Sequence, residues 1–254
     1  MEARSSTRVM PTIRFSPAGR PSGRRLRAAL AAAALAVTAG TATLTAATLA
    51  ATAAAPAPAY ANPHTYGQDV SGYEADHDWI NSRAQFGFIK ATEGLDWVDS
   101  SFPRHWRELD KKGIVRGVYH YGHPSNDPIA EADHFLRVVN AQPGKPGDIL
   151  VLDLETADGQ SVQRVNAWAR KWLEYVTAKT GVRPMFYSGW NFADKYGRGL
   201  GDYPLWVAHY SRNPGDITPP ADWKSWAIHQ YTDSPIDQNV SSLSPVELRA
   251  LGRQ

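Results

Sequence analysis

The chain has 254 residues, no cysteine and nearly balanced charge, with 27 Lys and Arg against 25 Asp and Glu. That length bounds it to one large domain or two small ones. Without cysteine there are no disulfides, no thiol chemistry and no lipid attachment through a lipobox cysteine.

The first sixty or so residues differ from the rest. Arg4, Arg8, Arg14, Arg20, Arg24, Arg25 and Arg27 make a basic start with one acid, Glu2. From Ala28 to Ala59 the chain is almost wholly Ala, Leu, Thr, Val, Gly and Pro, and Ala59-Tyr60-Ala61 is an A-x-A cleavage pattern. This predicts a secretory signal sequence over 1–61, cleaved after Ala61, and a secreted domain over 62–254. The competing reading is an uncleaved anchor. The segment is long enough to span a membrane, but Ala and Thr make it weakly hydrophobic. Arg24-Arg25 leaves the export route open. Removing the seven arginines and Glu2 leaves 20 basic and 24 acidic residues, a net charge of −4. No Lys/Arg cluster remains to suggest nucleic-acid binding, and no membrane contact is expected of the domain, which reads as a monomer.

Residues 62–254 show no internal repeat and no long linker. In chain order the pattern predicts strands at Gly67–Val70 and Phe86–Lys90, a helix at Ser101–Lys112, and a strand at Val115–Tyr121. A helix at Ile129–Asn140 and a strand at Ile149–Glu155 follow. The next helix, Ser161–Thr180, carries Val162, Val165, Trp168, Ala169, Trp172 and Val176 at helical spacing, with Ser161 to cap it and Gly181 to stop it. Strands are then predicted at Met185–Ser188, Leu205–Tyr210 and Trp226–Tyr231, with short helices or none between. Regular β-α-β units imply a parallel sheet. The expected fold is therefore an α/β barrel, modified by irregular, partly antiparallel C-terminal strands, with its site at the C-terminal strand ends.

Those ends hold acids and aromatics. Asp69 ends the first strand, Glu93 follows the second, and Tyr119-His120-Tyr121 ends the third. The fourth is apolar on both faces up to Leu152 and ends in Asp153-Leu154-Glu155. Strand side chains alternate, so these two carboxyls share a side, with Cα atoms roughly 6.5 Å apart. Desolvation and repulsion both raise a carboxyl pKa, and a carboxyl kept protonated can give its proton to a glycosidic oxygen. Tyr187, Trp206, Tyr210, Gln230 and Asp237 lie at later ends. Sugar sites combine such groups, because C–H faces pack on aromatic rings while hydroxyls need polar partners. All nine tryptophans fall in this domain; the helical Trp168 and Trp172 are expected in the core.

The ordered set Gly67-Gln68-Asp69-Val70-Ser71, Asp78-Trp79, Phe88-Ile89-Lys90-Ala91-Thr92-Glu93-Gly94, Gly117-Val118-Tyr119-His120-Tyr121, Leu152-Asp153-Leu154-Glu155, Leu205-Trp206-Val207-Ala208 and Gln230-Tyr231-Thr232 resembles glycoside hydrolase family 25. These are the Chalaropsis-type lysozymes, or N-acetylmuramidases, and the resemblance runs from about Tyr66 to Val240. It implies a flattened, modified α/β barrel. It also implies cleavage of the β-1,4 bond between N-acetylmuramic acid and N-acetylglucosamine in peptidoglycan glycan strands, without a cofactor. The family's acidic site positions fall on Asp69, Asp153, Glu155 and Asp237, and its catalytic acid falls on Glu155. Tyr121, Tyr187, Trp206, Tyr210 and Gln230 are expected to bind substrate. Two departures are His229, where an aromatic residue often precedes Gln-Tyr, and Gln238, where Leu often follows the late Asp. An ionised Asp153 is expected to raise the pKa of Glu155 by repulsion. Whether the reaction retains or inverts stays open.

Other chemistries find less support. The histidines show no HExxH or other tight zinc spacing, so no metal is expected, and there is no G-x-S-x-G elbow or Walker loop. His120 reads as a packed strand residue. Lys90 reads as an anchor for carboxylates rather than a nucleophile, and Asp69 and Asp237 could serve as structural partners of such cations. A non-catalytic wall-binding protein on the same scaffold is the alternative, against which the intact acids argue.

Overall fold

The computed structural model describes residues 65–210 and 212–254; the predicted signal sequence and its cleavage site lie outside them. The strands are β1 (Thr65–Val70), β2 (Phe86–Glu93), β3 (Trp97–Val98), β4 (Val115–Tyr121), β5 (Ile149–Asp153), β6 (Met185–Gly189), β7 (Leu205–Ala208), β8 (Ile228–Thr232) and β9 (Gln238–Ser241). The helices are α1 (Phe102–Lys112), α2 (Pro128–Asn140), α3 (Val162–Thr180), α4 (Trp190–Tyr196) and α5 (Pro245–Ala250).

Local signals set the helix ends. The Ser161 hydroxyl accepts a hydrogen bond from the Arg164 amide at the start of α3, satisfying one orphan donor. At the other end Gly181 takes φ 74°, a left-handed conformation that an L side chain resists, and its amide closes on Thr177. As predicted, the buried face of α3 carries Val165, Trp168, Trp172 and Val176. No described helix is long and apolar enough to cross a membrane.

Eight strands close a barrel in the order β1-β9-β8-β7-β6-β5-β4-β2, with β2 pairing back onto β1. β3 extends β2 as a short antiparallel hairpin arm. Every barrel neighbour is parallel except β9, which runs antiparallel to both β8 and β1. The antiparallel character expected of the last strands is thus confined to β9. That strand, β3, α4 and α5 have no counterpart in the sequence prediction. All four are short, and β9 carries three polar residues in four, so no period-2 signal builds up.

Alternation along the strands sorts two cores. Ile149 and Val151 of β5 pack inside the barrel with Phe86, Phe88, Met185 and Trp206. Leu150 and Leu152 point outward, under Trp79, Trp106, Phe135 and Trp172. The barrel interior is narrow at Gly117, where an added Cβ would stand 2.1 Å from the ring of Phe88. Any side chain there displaces the ring. At the base, Arg116 of β4 forks onto Asp148 just before β5, at 2.6 and 3.0 Å, with both side chains almost fully buried. The same parity that puts Ile149 and Val151 inside carries the next inward position, Asp153, to the top of the barrel.

Candidate active site

The C-terminal ends of the parallel strands meet at one rim, and their inward positions fill its centre. Asp69 comes from β1, Tyr119 from β4, Asp153 from β5, Tyr187 from β6 and Trp206 from β7. Glu155 lies two residues beyond Asp153 and Asp237 one before β9. These seven residues line a single cavity of about 70 Å³. All four acids singled out in the sequence therefore face one small space.

The acids fall into two pairs. Asp69 is 4% exposed, and its Oδ1 accepts from Gln230 Nε2 at 3.0 Å and from Asn239 Nδ2 at 2.6 Å. Burial pushes its carboxyl well above the usual range, and the nearby charge of Asp237 adds to this, against the two amide donors. Asp237 hydrogen-bonds to Asp69 and is itself pushed up to about 6, chiefly by burial. Two carboxyls in contact cannot both ionise at low cost, so this pair shares a proton.

Asp153 and Glu155 form the second pair, joined by a side-chain hydrogen bond. Asp153 is 4% exposed, and its Oδ1 is buried without a hydrogen-bond partner. Burial raises it strongly, and the charge of Glu155 adds to the shift. Glu155 opens to solvent at the cavity mouth while protein crowds its other sides. It is raised too, first by desolvation and then by Asp237. The expected cause, repulsion from an ionised Asp153, is corrected here. The bond from Asp153 lowers Glu155, because the more deeply buried carboxyl is the one that keeps the proton and donates it.

Aromatic and amide groups brace the acids. Tyr187 and Tyr210 both donate their hydroxyls to Gln230 Oε1, at 2.8 and 2.7 Å. Gln230 thus links two tyrosines to Asp69. Trp206 is 1% exposed; its indole donates to Asn239 Oδ1 at 2.8 Å and packs on Tyr187 and Phe88. It forms the floor of the cavity rather than an open platform. Tyr121 is half-buried at the rim beneath the Lys90 ammonium, 5.0 Å from its ring centre. Tyr210 stands apart from the small cavity, lining a neighbouring one of about 530 Å³ with Glu155 and Trp190.

Sequence reasoning missed Tyr119 and Asn239 as members of this site. The signal for Asn239 was present, since it lies two positions beyond Asp237 and so shares its face. Lys90 does anchor a carboxylate, that of Glu93 at 2.6 Å. His120 points out of the barrel, bonded to Thr92 and Glu131 and stacked on Trp172, as a packed residue. His229 also points outward: its Nδ1 accepts from the Gly215 amide, and its other ring nitrogen meets the His209 carbonyl. Among the described residues no group of three or more His, Asp or Glu is placed to hold a metal ion.

Residues 68–240 match the family described as Glycosyl hydrolases family 25. The chain is 34% identical over 203 residues to protein YegX of Escherichia coli, covering 73% of this chain and 72% of that one. It is 30% identical over 185 residues to an N,O-diacetylmuramidase of Arthroderma benhamiae, covering 66% of this chain and 77% of that one. A family GH25 lysozyme from Aspergillus fumigatus superposes with a TM-score of 0.67 at 27% identity, over 75% of this chain and 99% of that one. By family model, sequence identity and closed barrel alike, the chain belongs to glycosyl hydrolases family 25.

Proposed function

We propose that this lysozyme cleaves the β-1,4 bond between N-acetylmuramic acid and N-acetylglucosamine of peptidoglycan, with Asp153 and Glu155 as the reacting pair. The observation that carries the reading is the convergence of four carboxyls on one cavity, with the Asp153–Glu155 pair holding a proton through burial. Glu155 is at the open side, where a glycosidic oxygen can reach it, and acts as the proton donor. The proton shared by the pair moves from Asp153 onto Glu155 and from Glu155 to that oxygen as the C–O bond breaks. Asp153, left ionised by that transfer, stabilises the developing positive charge on the sugar ring or on an oxazolinium formed by the 2-acetamido group. Asp69 and Asp237 hold a water or the ring hydroxyls. Tyr121, Tyr187, Tyr210 and Gln230 border the sugar, and Trp206 supports them from below.

The enzyme works as a secreted monomer at the cell wall, its mature chain beginning at Asn62 after removal of 1–61. N-terminal sequencing of exported protein tests the leader; an intact Arg-rich segment in the membrane fraction counts against it. The chemistry is tested with Glu155→Gln, which keeps the shape and removes the transferable proton. It should fold, bind peptidoglycan and lose roughly two or more orders of magnitude in rate. Mass spectrometry of the products should find reducing-end muramic acid; reducing-end glucosamine, or near-normal turnover by Glu155→Gln, overturns the assignment.

A further inference from the structure

A chain of charged groups leads into the acid pair from one side and takes no part in the roles above. Lys90 is an inward position of β2, and its ammonium acts on both Asp153 and Glu155, favouring their ionised forms. It is tethered instead to Glu93 Oε2 at 2.6 Å, above the rings of Tyr121 and Trp97. Glu93 Oε1 is held in turn by His123 Nε2 at 3.1 Å, and His123 Nδ1 faces Asp158 Oδ2 at 3.2 Å. Asp158 is fixed by the hydroxyls of Thr156 and Ser125, at 2.9 and 3.1 Å. Its backbone takes φ 46°, which a non-glycine residue adopts at a cost. The tether therefore draws on the loops after β2, β4 and β5. A lone, partly exposed ion pair contributes little to stability, so stability alone does not account for three loops converging on one carboxylate.

We propose that Glu93, fixed by His123 and Asp158, is a positioning residue that holds the Lys90 ammonium back from Asp153 and Glu155. The Lys90 charge then does not strip the pair of its shared proton. This rests on the reading of Asp153 and Glu155 as the reacting pair. The charged groups facing that pair are Asp69 from β1, Lys90 and Glu93 from β2, and Asp237 from the turn before β9. Tyr119 and Tyr121 of β4, Tyr187 of β6 and Tyr210 after β7 also face it, and all four hydroxyls are raised, so they stay neutral. Lys90 is thus the cation among these groups, and its placement sets the balance.

The test is carboxyl-carbon NMR of the 13C-labelled enzyme, which reads the titration midpoint of the pair without any turnover, alongside the pH profile of kcat/KM on peptidoglycan. Glu93→Gln frees the ammonium and should move the midpoint and the alkaline limb down by roughly one pH unit. Glu93→Asp keeps the charge but shortens the reach, and should move both the same way by less. Lys90→Met should move both up, and in that background Glu93→Gln should have little further effect. An unmoved midpoint in both Glu93 variants overturns the proposal. So does an equal Glu93→Gln shift with and without Lys90, which would mean that Glu93 acts directly. A midpoint that moves as expected in an enzyme that cleaves no peptidoglycan sinks the muramidase reading and leaves the placement of Lys90 standing.

Discussion

Asp237 illustrates how a single side chain sets stability against function. Its carboxyl is pushed up to about 6 from the usual 3.8, mainly by burial. A group with a raised folded-state value binds more protons folded than unfolded, so its contribution favours the fold at low pH. That contribution is lost as pH rises from about 3.8 to about 6. The raised Asp69 acts in the same direction. Thermal stability should therefore fall as pH rises through this window, and Asp237→Asn should flatten the fall while lowering activity. Melting curves at pH 4 and pH 7 check this; a wild-type Tm that climbs across the window would refute it. Trp206 is governed by packing instead. It is 1% exposed and contacts Phe88, Tyr119 and Tyr187, so Trp206→Ala should cost about 3–5 kcal/mol, read by urea denaturation. The loss of activity in that variant should follow the loss of fold.

At the scale of elements, β4 and β5 are held at opposite ends by different means. At the base, Arg116 binds Asp148 in a buried fork and also donates to the Pro143 carbonyl. Asp148→Ala leaves that buried guanidinium with the exposed Asp110, 3.5 Å away, in place of its forked partner, which should cost about 3 kcal/mol in urea unfolding. At the rim, the loops after β2, β4 and β5 are joined through His123. Burial pulls its imidazole down, but the bond to Glu93 and the charge of Asp158 outweigh this and leave it raised. Its stabilising contribution is therefore complete below the ordinary value of 6.5 and is lost as pH rises through the raised one. Hydrogen exchange of the loop amides should quicken across that range. His123→Gln should remove the pH dependence; an unchanged dependence would show that another group clamps the loops.

For the whole molecule, closure is the decisive event. Six parallel pairings leave β8 and β1 apart, and the antiparallel β9 fits between them. Its inward Asn239 then meets both Asp69 and Trp206. The last strand thus completes the barrel and organises the acids together. Asn239→Ala removes a donor to Asp69 and an acceptor for the indole at once. It should lower stability by about 1–3 kcal/mol and reduce activity, where an exposed turn residue would do neither. Thermal melts and peptidoglycan clearing measure the two effects.

What the sequence determined by itself lies in short-range patterns. The continuous apolar run Ile149–Leu152 read as a buried strand, its parity put Asp153 and Glu155 on one side, and Ser161 and Gly181 bounded α3. Ordered motifs carried the family and with it the four acids. The tertiary structure decided what depends on depth and on distant partners. Asp153 holds its proton more firmly than Glu155, because only one of the two is sealed from solvent. Trp206 is a floor and Tyr210 a rim residue, although both belong to one predicted strand. Asn239 reaches Asp69 across 170 residues of chain, and β9 pairs with β1 on one side and β8 on the other. Local periodicity encodes which side a residue faces; desolvation and closure depend on what the rest of the chain brings to that side.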